Sequence, residues 1–142
     1  MNLLSVKNLT VHTEQPSGSI NILDNLSFEL EPGKSLGVVG ESGCGKSMMA
    51  FSIMGLLPDN MIASGEIQFG GDLLSLPEKE LCKIRGNRIG MVFQEPMSAL
   101  NPVLPIGFQV AESLRLHKNL SRHEAQRQAS KVLDRVGLQS QQ

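Results

Sequence analysis

Residues 40–47 read Gly40-Glu41-Ser42-Gly43-Cys44-Gly45-Lys46-Ser47. Gly40, Gly45, Lys46 and Ser47 fit the P-loop spacing G-x-x-x-x-G-K-[ST]. Glycines let a backbone take positive φ and approach a ligand closely, so successive N–H groups can turn inward as an anion-binding nest. A helix that starts at such a loop adds free N–H groups and the positive end of its dipole. Lys46 can reach β- and γ-phosphates, and the Ser47 hydroxyl can ligate Mg²⁺. The candidate phosphate contacts are Gly40, Ser42, Gly43, Cys44, Gly45, Lys46, Ser47 and Met48. A glycine-rich turn can match these letters by chance. Here an apolar run, Leu36 to Val39, precedes the match and an apolar helix follows it, as a phosphate loop requires.

The elements that must position this loop can be read outward from it. Leu36–Val39 predicts a short buried strand. Met48 to Leu57 predicts a helix that is apolar nearly all round, hence packed inside a larger body, and that stops before Pro58. Upstream, Leu4–Val11 alternates partly and Ile22–Leu30 alternates through Leu26, Phe28 and Leu30, predicting two strands. Glu14–Ser19, with Pro16 and Gly18, reads as a loop between them. Glu31-Pro32-Gly33-Lys34 predicts a tight turn into the phosphate-loop strand. Downstream, a loop ends at Ser64-Gly65, Glu66–Phe69 predicts a short strand closed by Gly70-Gly71, and Pro77 opens a charged helix to about Arg85. Ile89–Phe93 predicts a second buried strand. Ile106 to about His117 has helical spacing. In the last helix Ser121 and Glu124 form a capping box, and Ala125, Ala129, Val132, Leu133 and Val136 make an apolar stripe that Gly137 ends.

The chain has 142 residues, enough for one domain or part of one, and a formal net charge of −1, which gives no footprint for nucleic acid. Its two cysteines, Cys44 and Cys82, make no disulfide framework and suit a reducing compartment. The N-terminus lacks a basic region followed by a long apolar stretch, and the most apolar run is too short to span a bilayer. Membrane association would have to go through a partner.

Gln94 follows the Ile89–Phe93 run, and strand ends in open α/β sheets point into the ligand crevice. An amide there can touch Mg²⁺ or orient a water, and an ordinary loop residue fits the position equally well. A resemblance bears on this choice. Gly40 to Ser47, followed by Met91-Val92-Phe93-Gln94-Glu95-Pro96-Met97-Ser98-Ala99-Leu100-Asn101-Pro102-Val103, resembles the ATP-binding subunits of ABC transporters. The similarity is to the oligopeptide, dipeptide, glutathione and nickel importer branch, with its Walker A loop and its Q-loop. Val110–His117 resembles the same branch, so the likeness covers essentially the whole chain.

The resemblance implies an α/β P-loop nucleotide-binding domain with an antiparallel β-subdomain and the start of a helical subdomain. It implies ATP and Mg²⁺ as ligands, with Gln94 contacting the metal and the attacking water. It implies a location at the cytoplasmic face of the membrane, held there by permease subunits that meet the segment from Glu95 to Pro102, and pairing with a second ATP-binding subunit. Two positions depart from the pattern. The aromatic that commonly stacks on adenine near the end of the first strand is absent. Thr13 stands where it is expected and His12 beside it. Met49 replaces the hydroxyl residue often found after the Walker A serine.

No LSGGQ-type signature, no apolar strand ending in Asp-Glu and no switch histidine follows the Q-loop. Residues 1–142 therefore resemble the N-terminal part of such an ATPase. A P-loop GTPase would need N-K-x-D, which is missing, and the letters Asp134-Arg135-Val136-Gly137 fall on the last helix rather than at a nucleotide. A P-loop small-molecule kinase would want a basic lid, and an inactive truncated product is a further alternative. The expectation is an ATP-binding subunit fragment of an importer for peptides or similar small solutes.

Overall fold

The computed structural model describes residues 2–16, 18–95 and 99–138. They form two compact units, residues 1–81 and 82–142. In the first, β1 (Leu4–Gln15) is the centre of a three-stranded antiparallel sheet, with β2 (Gly18–Leu30) on one side and β3 (Met61–Gln68) on the other. Between β2 and β3 lies α1 (Lys46–Met54).

The spacing of apolar residues in β1 explains its shape. Val6 is buried, and so are Leu9, Val11 and Thr13, which lie out of phase with it. Strict alternation would turn one of these sets to solvent. The phase is reset by Asn8, whose φ of 51° is a left-handed conformation that asparagine tolerates, and the register with both neighbours shifts there. β2 carries a matching irregularity at Asn25, φ 51°. The two are fastened to each other: the Asn8 N–H donates to Ser27 Oγ at 2.8 Å and the Asn25 N–H donates to Thr10 Oγ1 at 3.1 Å. Val6, Leu9, Val11 and Ile67 are the large aliphatic side chains with least exposure. Each contributes about 1.5–3 kcal/mol by leaving water.

Several boundaries differ from the sequence expectation. The stretch Glu14–Ser19 is mostly strand, because β1 and β2 pair down to Gln15 opposite Gly18. β3 starts at Met61 rather than Glu66, and Gly65 sits inside it. A side chain at Gly65 would come within 2.6 Å of the Asn8 carbonyl oxygen, so the glycine lets β3 pass the irregularity in β1. α1 ends at Met54 rather than Leu57, since Gly55 takes φ 61° and its N–H closes the last turn on Phe51 and Ser52 carbonyls. Only Ser52 and Met54 of α1 are buried, so the helix is not enclosed on all sides by the described residues.

Two expected strands are not formed. Residues 35–40 join no ladder, and Leu36, Val38 and Val39 are exposed, Val39 by 94%. Residues 90–94 form no strand either, and Val92 is 97% exposed, with only an isolated bridge between Arg85 and Ile89 nearby. An apolar run becomes a strand when another strand takes its N–H and C=O groups. Among the described residues neither run joins a strand in this way, the Arg85–Ile89 bridge being isolated. The turn at Pro32-Gly33 forms as expected, with Gly33 at φ 75° and the Lys34 N–H donating to the Glu31 carbonyl at 3.2 Å.

A short 3₁₀ turn, Leu73–Ser75, follows β3 and is capped by the Asp72 carboxylate. The boundary between the units falls inside α2 (Glu78–Ile84), which starts just after Pro77 as expected. The second unit holds α3 (Ile106–Lys118) and α4 (Arg122–Arg135). Ala111 of α3 is buried with Ala125 and Ala129 of α4, and Val110, Leu114 and Leu120 surround them. Alanines at the contact let the two helices approach closely. Asn119, φ 51°, turns the chain between them.

Ser121 caps α4 by accepting from the Glu124 N–H at 3.2 Å. The second half of the expected box is replaced. Both Glu124 carboxylate oxygens accept from Arg127 Nη2, at 2.9 and 2.7 Å, and Gln128 Nε2 donates to one of them. These donors hold the Glu124 carboxyl below its ordinary pKa, the Arg127 hydrogen bond contributing most. Of the expected stripe, Ala125 and Ala129 are buried while Val132 and Val136 are exposed.

Candidate functional site

The loop before α1 is shaped by three glycines and one lysine. Gly43 and Gly45 have φ of 84° and 88°, a region that side-chain-bearing residues rarely enter. Gly45 is also buried against β2, where an added Cβ would lie 2.5 Å from Leu23 Cδ2 and 2.9 Å from the Ile22 carbonyl oxygen. The sheet therefore seats the loop directly, through β2 pressing on Gly45. At Gly40 an added Cβ would meet Cys44 Sγ at 2.5 Å, so the first glycine makes room for the cysteine side chain.

Lys46 closes the loop. Its ammonium donates to the carbonyl oxygens of Gly40 at 2.7 Å and Glu41 at 2.6 Å, and lies 3.4 Å from Cys44 Sγ. The Cys44 N–H donates to the Glu41 carbonyl at 3.3 Å. Gly40, Glu41, Cys44 and Lys46 thus form one ring of contacts around a single positive charge.

The start of α1 supplies a second positive element. The first helical bond runs from the Met49 N–H to the Gly45 carbonyl, 2.9 Å, so the N–H groups of Lys46, Ser47 and Met48 precede it. Gly45 is the cap and offers no side chain, and no acidic residue lies in the first turn. Nothing on the helix itself opposes the positive end of its dipole. The Ser47 hydroxyl stands exposed on this turn. The arrangement is suited to an anion with several oxygens: a lysine ammonium, a run of N–H groups and a hydroxyl on one short stretch. That hydroxyl also fits a hard cation which keeps most of its waters and takes its remaining oxygens from phosphate, as Mg²⁺ does.

The structure brings Gly40, Ser42, Gly43, Cys44, Gly45, Lys46, Ser47 and Met48 together in the first unit. Gln94 belongs to the second unit, where it is exposed in a bend rather than at the end of a buried strand. Pro96, Met97 and Ser98 of the Q-loop motif lie outside the described residues. Thr13 is 6% exposed, donates from Oγ1 to the Asn60 carbonyl at 3.0 Å and accepts from Asn60 Nδ2. It locks the end of β1 to the turn before β3 and offers no surface for a base to stack on. His12 beside it is half-buried. Sequence reasoning missed the part played by Leu23, whose only signal was an apolar residue two before the irregularity at Asn25.

Among the described residues no helix is long and apolar enough to cross a membrane. A family model described as ABC transporter matches residues 23–142. The oligopeptide transport ATP-binding protein OppD of Escherichia coli (strain K12) is 47% identical over 135 residues, covering 94% of this chain and 40% of that protein. The dipeptide transport ATP-binding protein DppD of Lactococcus lactis subsp. cremoris (strain MG1363) is 45% identical over 139 residues, covering 96% of this chain and 40% of the relative. The chain thus spans about 40% of the length of the curated relatives it matches. Among solved structures, the dimeric structure of MJ0796, a bacterial ABC transporter cassette, superposes with a TM-score of 0.79 at 28% identity. The match covers 96% of this chain and 58% of the cassette. A post-hydrolysis state of the same cassette, bound to ADP and Pi, gives 0.80.

Proposed function

Because this chain belongs to the ABC transporter family, we propose that it is the ATP-binding part of an importer for peptides or similar small solutes. The observation that carries this reading is the loop at 40–48, which puts the Lys46 ammonium, the open N–H groups of the α1 N-terminus and the Ser47 hydroxyl on one short stretch. In use, Lys46 exchanges its carbonyl acceptors for β- and γ-phosphate oxygens. Both partners are ionised in a lysine–phosphate bond and only the donor in a lysine–carbonyl bond, so the exchange favours the bound state. Gly43 and Gly45 keep the backbone close enough for N–H groups to reach the same oxygens, and the N–H groups of Ser47 and Met48 hold the α- and β-phosphates.

The Ser47 hydroxyl would hold Mg²⁺, which would neutralise phosphate charge, and a metal contact for Gln94 is what the family resemblance implies. Gln94 orients a water and reports nucleotide state to permease subunits through the segment after it. The relatives are named for oligopeptide and dipeptide transport, which supports peptides as the solute class here. The cassette neighbour is dimeric, which supports a second ATP-binding subunit as partner. The site of work is then the cytoplasmic face of the membrane, reached through the permease. The domain assignment is an N-terminal part of the ATP-binding domain, carrying Walker A and the Q-loop.

Uptake of a labelled dipeptide and a labelled pentapeptide by the cells that make this chain tests the reading. Replacing Lys46 by alanine in those cells is expected to abolish uptake of at least one of them. Unchanged uptake of both would overturn the peptide-import reading.

A further inference from the structure

The turn at Asn101–Leu104, at the end of the Q-loop stretch, is held partly by the Gln109 side chain, which no sequence motif singles out. Asn101 to Leu104 form a tight turn, closed by the Leu104 N–H donating to the Asn101 carbonyl at 3.2 Å. The Asn101 side chain turns back to accept from the Val103 N–H at 3.0 Å. Gln109, one turn into α3, then grips the backbone from below. Its Oε1 accepts from the Asn101 N–H at 2.8 Å, and its Nε2 donates to the carbonyls of Asn101 and Leu104, each at 2.9 Å. One primary amide thereby uses its acceptor and its donors on three backbone groups of a single turn.

The consequence is a surface with unusual chemistry. The Asn101 N–H, carbonyl and Oδ1, the Val103 N–H and both backbone groups of Leu104 are bonded within the turn and to Gln109, while Leu100, Val103, Leu104 and Ile106 are exposed, Val103 by 82%. A loop free to move would present its amides to water and average its side chains over many positions. This one is tied to a helix and keeps apolar side chains outward.

We propose that Gln109 is a positioning residue for coupling. It fixes the Asn101–Leu104 turn to α3, so that the end of the Glu95–Pro102 segment proposed to meet a permease subunit, with Val103 and Leu104 just beyond it, stands in one orientation. The proposal rests on the importer reading for the identity of that partner, and on hydrogen bonds within this chain for the latch itself. Losing the amide takes the Gln109 partner from the Asn101 N–H and the Leu104 carbonyl, leaves the Asn101 carbonyl only its bond from the Leu104 N–H, and lets the turn open.

Deuterium exchange read by mass spectrometry on the full chain, together with peptide uptake in cells, tests it with Gln109→Ala, Gln109→Glu and Lys46→Ala. Exchange of the Asn101 and Leu104 amides is expected to quicken about tenfold in Gln109→Ala, from loss of three hydrogen bonds, with α3 from Ala111 onward unchanged. Gln109→Glu keeps the acceptor and loses both donors, so it should protect the Asn101 amide better than alanine does. Peptide uptake in Gln109→Ala is expected to fall about tenfold, as when a positioned group is released, while Mg-ATP affinity is retained. Unchanged exchange at Asn101 overturns the latch. Quickened exchange with unchanged uptake, where Lys46→Ala abolishes uptake, overturns the coupling role alone. Uptake untouched by Lys46→Ala removes the importer reading and the coupling role with it, while the exchange result still decides the latch.

Discussion

Replacing Gly45 by alanine asks how firmly the sheet holds the phosphate loop. Two separable penalties follow from the geometry. The φ of 88° places an L-residue in the left-handed region, at about 1–2 kcal/mol. The new methyl also lands 2.5 Å from Leu23 Cδ2 and 2.9 Å from the Ile22 carbonyl oxygen. Leu23 is 9% exposed and Ile22 contributes backbone, so neither yields freely, and overpacking of this kind adds about 1–3 kcal/mol. The sum is roughly 2–5 kcal/mol. Gly43 is the control: its φ of 84° is nearly the same, yet nothing lies within 4 Å of its added Cβ. Gly43→Ala should lose only the backbone term, about 1–2 kcal/mol. Gly37, with no positive φ and no neighbour within 4 Å, should tolerate alanine with a change under about 0.5 kcal/mol. Urea unfolding of the three variants beside the wild type measures the differences. Gly45→Ala no less stable than Gly43→Ala would refute the claim that β2 seats the loop.

Further expectations concern the helices and the chemistry. Ser121→Ala removes the cap from the α4 N–H groups and should reduce stability by about 1 kcal/mol, read from thermal unfolding followed by circular dichroism. The Glu124 carboxyl is held below its ordinary value of 4.5, chiefly by the Arg127 hydrogen bond. Its contribution is therefore present above that value and is lost as pH falls through the lowered pKa. Helix content should decline on acidification in that range, and Glu124→Gln should remove this part of the acid sensitivity; an identical acid profile for both proteins would contradict it. These 142 residues carry the proposed phosphate clamp and the proposed metal-binding hydroxyl, but not the family's Asp-Glu strand end or signature loop. An absent general base lowers rate by about 10²–10⁴-fold, so phosphate release by this purified chain should equal that of buffer. Steady release abolished by Lys46→Ala would reveal a base elsewhere in the chain.

The sequence carried the local devices well and the long-range pairings poorly. The Pro32-Gly33 turn, the Ser121 cap and the span of α3 each depend on residues within one turn of each other, and each is found where the letters place it. The out-of-phase spacing of Val6 and Leu9 was visible as imperfect alternation. Its meaning needed the positive φ at Asn8 and the bond to Ser27, nineteen positions away. Leu36–Val39 and Ile89–Phe93 show what an apolar run cannot say by itself. Hydrophobicity marks a segment as suited to a ladder, but a strand must lie beside it to form one, and among the described residues neither run joins a strand. In the site, the loop residues were legible because their types and spacing are the chemistry. Thr13 was not, since its burial under Asn60 depends on a contact between distant segments. Gln109 was invisible for a different reason: a glutamine on a helix carries no pattern until the turn above it is seen.

The central claim is that residues 40–48 bind the phosphates of ATP through Lys46. Titration calorimetry of the chain with ATP in excess Mg²⁺ measures this directly, with Lys46→Ala under the same conditions. Saturable binding is expected for the wild type, and an affinity too weak to measure for the variant while its circular dichroism matches that of the wild type. Equal affinity in the two proteins, or no binding by a folded wild-type chain, would contradict it.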